Sequence, residues 1–305
     1  MSTAFLFPGQ GSQHVGMGYD LYHTSNAARA VFDQADEQLG FALSQLCFEG
    51  PDETLTDTLN QQPALLTVSI AAWEAIKLQD WPPPAFMAGH SLGEFSALVA
   101  AGSLTFADGL TLVRRRGELM KAAGEQEPGA MAAILALDVA TVSAACAQAA
   151  EMTGRPVQVA NDNCPGQVVI SGDKAALAEA MRLATEAGAR KVVRLPISIA
   201  AHSTLMESAA AEFARSVDDT PIGAPTVPVI ANVSARPLTT ADDIRAELKA
   251  QLTSAVAWTD SMNYLCQQGV DTVVEVGSGE VLLGLMKRIN RKVKRVKFKS
   301  EPYLT

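Results

Sequence analysis

Four cysteines and four histidines are a thin supply for 305 residues, and their scarcity excludes several kinds of protein. Cys47, Cys146, Cys164 and Cys266 are widely scattered and lack metal-ligand spacing. Free thiols in a reducing cytoplasm are therefore expected, not a disulfide framework. The histidines, His14, His23, His90 and His202, are too few for a His-rich metal centre, and no metal is expected. No apolar run is long enough to span a bilayer, and Thr3–Phe7 is too short for the apolar region of a signal peptide. Internal repeats and low-complexity tracts are missing. A net charge of −9 argues against nucleic acid as a general partner. What is present, 48% hydrophobic and 19% charged residues, is an ordinary globular composition for one large domain, or a large one with a small one.

The most informative stretch is Gly89-His90-Ser91-Leu92-Gly93-Glu94, between a short apolar run and a long Ala/Leu-rich one. Strand, sharp turn carrying a serine, then helix is the arrangement of a nucleophile elbow. The turn lifts a hydroxyl clear of the sheet. The same serine lies at a helix N-terminus, where unpaired N–H groups can stabilise an oxyanion. An ordinary Gly/Ser turn is the competing reading of so short a motif.

The pattern along the chain predicts strands at Thr3–Phe7 and 85–89, with helices over 27–39 and 64–78 before the elbow. The loop Pro8-Gly9-Gln10-Gly11-Ser12-Gln13 lacks the Lys and Ser/Thr of a phosphate-cradling loop. Helices to about Ala101 and over 106–122 follow, and 124–129 reads as a boundary. Beyond it come strand 130–137, helix 139–152, strands 157–160 and 168–171, helix 174–187 and strand 191–195. This is βαββαβ, the ferredoxin-like order. A helix over 203–217, strands near 227–231 and 272–276, and a helix over 281–289 resume the α/β character. The expectation is an α/β fold in which a small domain, residues 125–196, is inserted into a large parallel-sheet domain of residues 1–124 and 197–305.

A serine nucleophile needs a base, and elimination favours His202. His14 and His23 precede the elbow, and His90 adjoins Ser91 on what reads as a strand, so its side chain is expected on the opposite face. His202 lies in Ile199-Ala200-Ala201-His202-Ser203, between a strand and a helix N-terminus. The bland alternative is a hydrogen-bonded structural histidine. Arg116 falls in the middle of the apolar face formed by Leu112, Val113, Leu119 and Met120, whereas Arg115 shares a polar face with Asp108, Thr111 and Glu118. A buried guanidinium needs an anion. Either an internal carboxylate such as Glu94 or Asp108 supplies it, or a substrate carboxylate does. Eight of the thirteen residues from Lys287 to Lys299 are basic. A solvated helix end with a charged edge strand is one reading of that run; a docking surface for an acidic partner is the other.

Phe7-Pro8-Gly9-Gln10-Gly11-Ser12-Gln13, Gln62-Pro63-Ala64-Leu65, the elbow, Arg116-Gly117, Asn161-Asp162-Asn163-Cys164-Pro165-Gly166-Gln167, His202-Ser203 and Glu275-Val276-Gly277 occur in that order. Together they resemble the malonyl-CoA:acyl carrier protein transacylase family over almost the whole chain. The resemblance implies an α/β-hydrolase-like large domain with an inserted ferredoxin-like small one. It makes Ser91 the nucleophile and His202 the general base, with the backbone N–H groups of Gln10 and Leu92 forming the oxyanion hole. Arg116 would grip the malonyl carboxylate, and the carbonyl of Gln251 would orient the histidine in place of an acidic residue. The implied reaction is ping-pong transfer from malonyl-CoA to the phosphopantetheine thiol of acyl carrier protein in fatty acid biosynthesis, by a cytoplasmic monomer without a cofactor, since the CoA thioester is a substrate. Acyl carrier protein is acidic, which offers an occupant for the Lys287–Lys299 surface.

Two alternatives stand beside this one. The first is an acyltransferase serving a polyketide synthase or a malonate decarboxylase system, and the second is a serine acyl hydrolase. The chain also departs from the family pattern: many members carry a bulky aromatic just before the catalytic histidine, where this chain has Ala201. The small residue leaves room beside C2 of the malonyl group. Competition between malonyl-CoA and methylmalonyl-CoA at equal concentration is expected to show some transfer of the branched acyl group, and strict malonyl selectivity would refute that expectation.

Overall fold

The computed structural model describes residues 2–298. Strand β1 (Thr3–Phe7) leads through α1 (Tyr19–Thr24), α2 (Asn26–Leu39), α3 (Leu43–Glu49), α4 (Asp52–Thr56) and α5 (Thr58–Ile76) to β2 (Phe86–Gly89), α6 (Gly93–Ala100) and α7 (Phe106–Gln126). The middle of the chain forms β3 (Gly129–Leu135), α8 (Val139–Thr153), β4 (Val157–Cys164), β5 (Gln167–Asp173), α9 (Lys174–Glu186) and β6 (Lys191–Arg194). Then come α10 (Glu207–Asp219), β7 (Val229–Ile230), β8 (Pro237–Leu238), α11 (Ala241–Gln251), α12 (Trp258–Gln267), β9 (Thr272–Glu275), α13 (Val281–Ile289) and β10 (Lys294–Lys297).

These strands build two sheets. The larger has the order β10-β9-β1-β2-β7-β8 and is parallel except for β8, which runs antiparallel to β7. The smaller, β4-β5-β3-β6, is antiparallel and has the strand order of a ferredoxin-like unit. The α/β class expected from the sequence is the class observed.

Burial explains the uninterrupted apolar character of β1. Phe5 and Phe7 enter one core, while Ala4 and Leu6 enter a second on the opposite face. A parallel strand covered on both faces has no polar side to show. In the small sheet β3 divides its residues differently. Ala130, Ala132 and Ile134 pack under α8 and α9, while Met131 and Ala133 face the larger body of the protein. Among the described residues no helix is long and apolar enough to cross a membrane.

Several element boundaries differ from the sequence expectation, for identifiable reasons. Helix α5 begins at Thr58, not Ala64, and carries Pro63 in its interior. The proline removes the N–H that would bond the Leu59 carbonyl, and Arg114 Nη1 donates to that carbonyl instead at 2.9 Å. Helix α7 continues to Gln126 through the expected break at Gly124. There the missing side chain admits Ile199, whose Cγ1 would lie 3.0 Å from an added Cβ. Strand β4 runs on through Asn161-Asp162-Asn163 with register irregularities, where turn-prone residues suggested an end. The helix expected from Ser203 starts as a 3₁₀ turn, Thr204–Met206, and becomes α-helical at Glu207. The short helices α1, α3 and α4, together with β8, α11 and α12, were not foreseen.

Candidate active site

Ser91 lies two residues beyond the C-terminal end of β2, with a φ of 51°. Left-handed backbone is costly for a residue with a Cβ, and its surroundings leave the turn little choice. A Cβ added at Gly89 would lie 1.9 Å from the Gly93 carbonyl carbon. One added at Gly93 would lie 2.0 Å from the Phe7 oxygen, and one at Gly9 would lie 2.2 Å from the His90 oxygen. Three glycines thus allow β1, its loop and the elbow to close on one another, which brings Gln10 and Leu92 to a common pocket. Asn232 locks the turn from the other side. Its Oδ1 accepts from Ser91 N at 2.6 Å and its Nδ2 donates to the Gly89 carbonyl at 2.7 Å.

The histidine favoured by elimination lies against Ser91. His202, also left-handed with φ 59°, puts Nε2 2.8 Å from Ser91 Oγ. Its Nδ1 faces two carbonyl oxygens, Gln251 O at 2.9 Å and Ser254 O at 3.1 Å. Carbonyls only accept, so Nδ1 carries the proton and Nε2 presents its lone pair to the serine. One premise of the elimination needs correction. His90 does not lie on β2, and strand alternation does not apply inside a left-handed turn. Its ring borders the same pocket, bonds Asn163 Oδ1 at 2.8 Å and packs on Trp258.

Arg116 is 2% exposed. Neither internal carboxylate weighed for it is in direct contact: Asp108 caps the start of α7 with Thr105, and Glu94 acts on it only through its charge, with Gln251 between them. Its guanidinium donates to Gln62 Oε1 at 2.9 Å, Gln251 Oε1 at 3.0 Å and Ser91 Oγ at 3.2 Å. These are two amides and one hydroxyl. Gln251 therefore acts twice, through its main chain on His202 and through its side chain on Arg116. The pocket around these groups has a volume of about 240 Å³. Its polar lining is Gln10, Gln62, His90, Ser91, Arg116 and His202, with Asn161, Asn163 and Gln167 from the small sheet. Met120, Met131, Ala133, Val169, Leu195 and Ile197 make the other side apolar, and Ala201 borders it next to His202.

Residues 4–299 match the model of the acyl transferase domain. The malonyl CoA-acyl carrier protein transacylase of Bacillus subtilis is 49% identical over 96% of this chain and 92% of its own. The chain belongs to the malonyl-CoA:acyl carrier protein transacylase family. A solved acyl carrier protein S-malonyltransferase from Vibrio cholerae superposes with a TM-score of 0.95 at 42% identity, covering 98% of this chain and 97% of that one. A malonyl-transacylase solved in complex with its type II polyketide acyl-carrier protein gives 0.94 at 39% identity, covering 98% and 96%.

In this acyltransferase the buried charges carry information of their own. Burial, together with the Arg116 charge, pushes the His202 imidazole down to about 3, so it is neutral over the whole physiological range. Burial also lowers the Arg116 guanidinium, to about 10, against the opposing charge of Glu94, and it remains a cation. The basic run is partly engaged in the fold. Arg288 donates to Gln167 Oε1 and to the carbonyls of Pro165 and Gly166, and Lys297 pairs with Glu280 at 3.3 Å. Strand β10 is the sheet edge, as the structural reading of that run expected. Lys287, Arg291 and Lys292 are exposed, and Lys299 lies outside the described residues.

Sequence reasoning missed Asn232, Glu247 and the roles of Gln62 and Asn163. Gln62 and Asn163 stood in quoted motifs, which were their only signal. Asn232, between Ala231 and Val233, and Glu247, between Ala246 and Leu248, offered only the weak signal of a polar residue flanked by apolar ones. Because His202 is held neutral, the acid limb of kcat/KM for malonyl-CoA is expected below the ordinary histidine value of about 6.5. Activity should stay flat as pH falls through that value. A limb centred at or above it, in a pH-rate profile, would contradict this assignment.

Proposed function

We propose that this acyltransferase moves the malonyl group from malonyl-CoA to the phosphopantetheine thiol of acyl carrier protein, through an ester on Ser91, in fatty acid biosynthesis. The observation that carries the proposal is a buried guanidinium 3.2 Å from the nucleophile, bonded to amides and a hydroxyl in place of a carboxylate. A charge so placed favours an acyl group that brings its own carboxylate.

The chemistry follows from the hydrogen bonds. His202 Nε2 takes the Ser91 Oγ proton as the oxygen attacks the thioester carbon. The resulting oxyanion lies where Leu92 opens α6 and Gln10 approaches from the β1 loop, and we assign their N–H groups as its donors. On collapse the C–S bond breaks and the CoA thiolate recovers the proton from His202. The carrier thiol then gives its proton to the same nitrogen and attacks the ester, and Ser91 leaves as the alcohol. Each half-reaction exchanges one acyl bond and returns His202 to neutrality. The Gln251 and Ser254 carbonyls stabilise the transient imidazolium, the part an acidic residue has in other triads. The apolar side of the pocket, supplied largely by β3, β5 and the segment after β6, keeps water from the ester. That contribution supports treating residues 125–196 as a small domain inserted between 1–124 and 197–305.

We infer that Lys287, Arg291 and Lys292, three exposed residues of the basic run, receive the acidic carrier, and that the protein acts as a cytoplasmic monomer. The carrier itself has a second reading. The structural neighbour bound to a type II polyketide acyl-carrier protein supports polyketide synthesis as the alternative destination.

Mass spectrometry of the protein after malonyl-CoA treatment should show a malonyl adduct on Ser91 that disappears when acyl-free carrier protein is added. Release as free malonate would favour a hydrolase instead. In the double variant Lys287→Glu/Lys292→Glu the adduct should form normally but discharge to carrier more slowly at low salt. Unchanged discharge would remove these residues from the docking surface.

A further inference from the structure

Behind the elbow lies a pair of buried carboxyl groups that the mechanism does not use. Glu94 is 0% exposed and Glu247, on α11, is 6% exposed. The consecutive backbone amides of Asn232 and Val233 donate to them, Asn232 N to Glu94 Oε1 at 3.0 Å and Val233 N to Glu247 Oε1 at 2.8 Å. The adjacent amides bring the two carboxyl groups together, close enough for each to act electrostatically on the other. Two carboxyl groups held together out of water resist ionising at once, so the pair retains at least one proton.

The pair also touches the acyl-recognition apparatus. Glu94 Oε2 accepts from Gln251 Nε2 at 2.5 Å, and the same amide group donates to the Ser91 carbonyl at 3.1 Å. With its NH₂ thus committed, Gln251 can present only Oε1 to Arg116, at 3.0 Å. An amide reversed end for end would put its donors against a guanidinium. Glu94 therefore sets the direction of a link that ends at the cation beside the nucleophile.

We propose that Glu94 and Glu247 are positioning residues for acyl selection: a proton shared between them keeps Glu94 a neutral acid and leaves the charge on Glu247, so that Glu94 does not neutralise Arg116, which stays available to a substrate carboxylate. The inference rests on the malonyl-transfer reading. Burial and the adjacent Glu247 charge both push the Glu94 carboxyl well above the usual range, in line with the geometry. The arrangement also accounts for the buried acid at the start of α6, which the elbow itself does not require.

Glu247→Gln isolates the effect. Its carbonyl oxygen can still accept from Val233 N, and its NH₂ can donate to Glu94, so the hydrogen bonds survive while the shared proton is lost. Glu94 then ionises, and the unit of charge moves one carboxyl closer to Arg116. The expected result is a half-saturating malonyl-CoA concentration for Ser91 loading raised about tenfold. Maximal loading rate, acetyl-CoA loading and thermal stability should be unchanged. Glu94→Gln serves as the second variant, because its amide must face a donor at either Asn232 N or Gln251 Nε2. It should lower the ratio of malonyl to acetyl loading through loss of the Gln251 orientation. Both ratios are read against the wild-type protein. A wild type that loads acetyl as readily as malonyl would overturn the malonyl reading itself. A selective wild type whose selectivity survives both substitutions, or a Glu247→Gln variant that loses both acyl groups equally, would overturn this inference alone.

Discussion

A guanidinium removed from water and left without a carboxylate is the constraint on which this active site is organised. Placing Arg116 there costs several kcal/mol unless charge or hydrogen bonds compensate. Gln62, Gln251 and Ser91 supply hydrogen bonds but no charge. The carboxyl that acts on it, Glu94, does so only across the Gln251 amide. The free protein thus holds a cation without a direct carboxylate partner, 3.2 Å from Ser91 Oγ. Burial lowers the basicity of His202 and that cation lowers it further, so the imidazole stays neutral and able to accept a proton.

The fold makes this arrangement possible by close approach of backbone segments. Ser91 and His202, both in left-handed backbone, face each other from loops at the ends of unrelated elements. Neither is held by its own local preference. Ser91 is fixed by glycine contacts to β1 and by Asn232, and His202 by the carbonyls of Gln251, the last residue of α11, and of Ser254 beyond it. The small antiparallel sheet then supplies the apolar side of the pocket from the face that its own helices do not cover. Gln167, at the start of β5, borders the pocket and also bonds Arg288 on α13, joining the site to the basic surface.

How much of this the sequence disclosed depended on whether the signal was local. The elbow was legible because Gly-x-Ser-x-Gly between an apolar run and a helical run has a conformational cause. Arg116 was legible because helical spacing put a cation on an apolar face. The βαββαβ order came through because strand and helix periods alternate clearly there. Pro63 inside α5 and Gly124 inside α7 misled, since each breaker is accommodated by a distant group, Arg114 in one case and Ile199 in the other. The same distance hid Asn232 and Glu247, whose partners lie more than ten residues away in sequence. His90 was assigned to the wrong face because the pleat ends one residue before it.

The most direct test of the central claim is the rate at which Ser91 is loaded by malonyl-CoA and by acetyl-CoA in the Arg116→Ala variant. If that charge selects the acyl group, malonyl loading falls by about a hundredfold or more while acetyl loading changes little. Equal losses for the two thioesters would mean that Arg116 serves the turn or the nucleophile and does not read the substrate carboxylate.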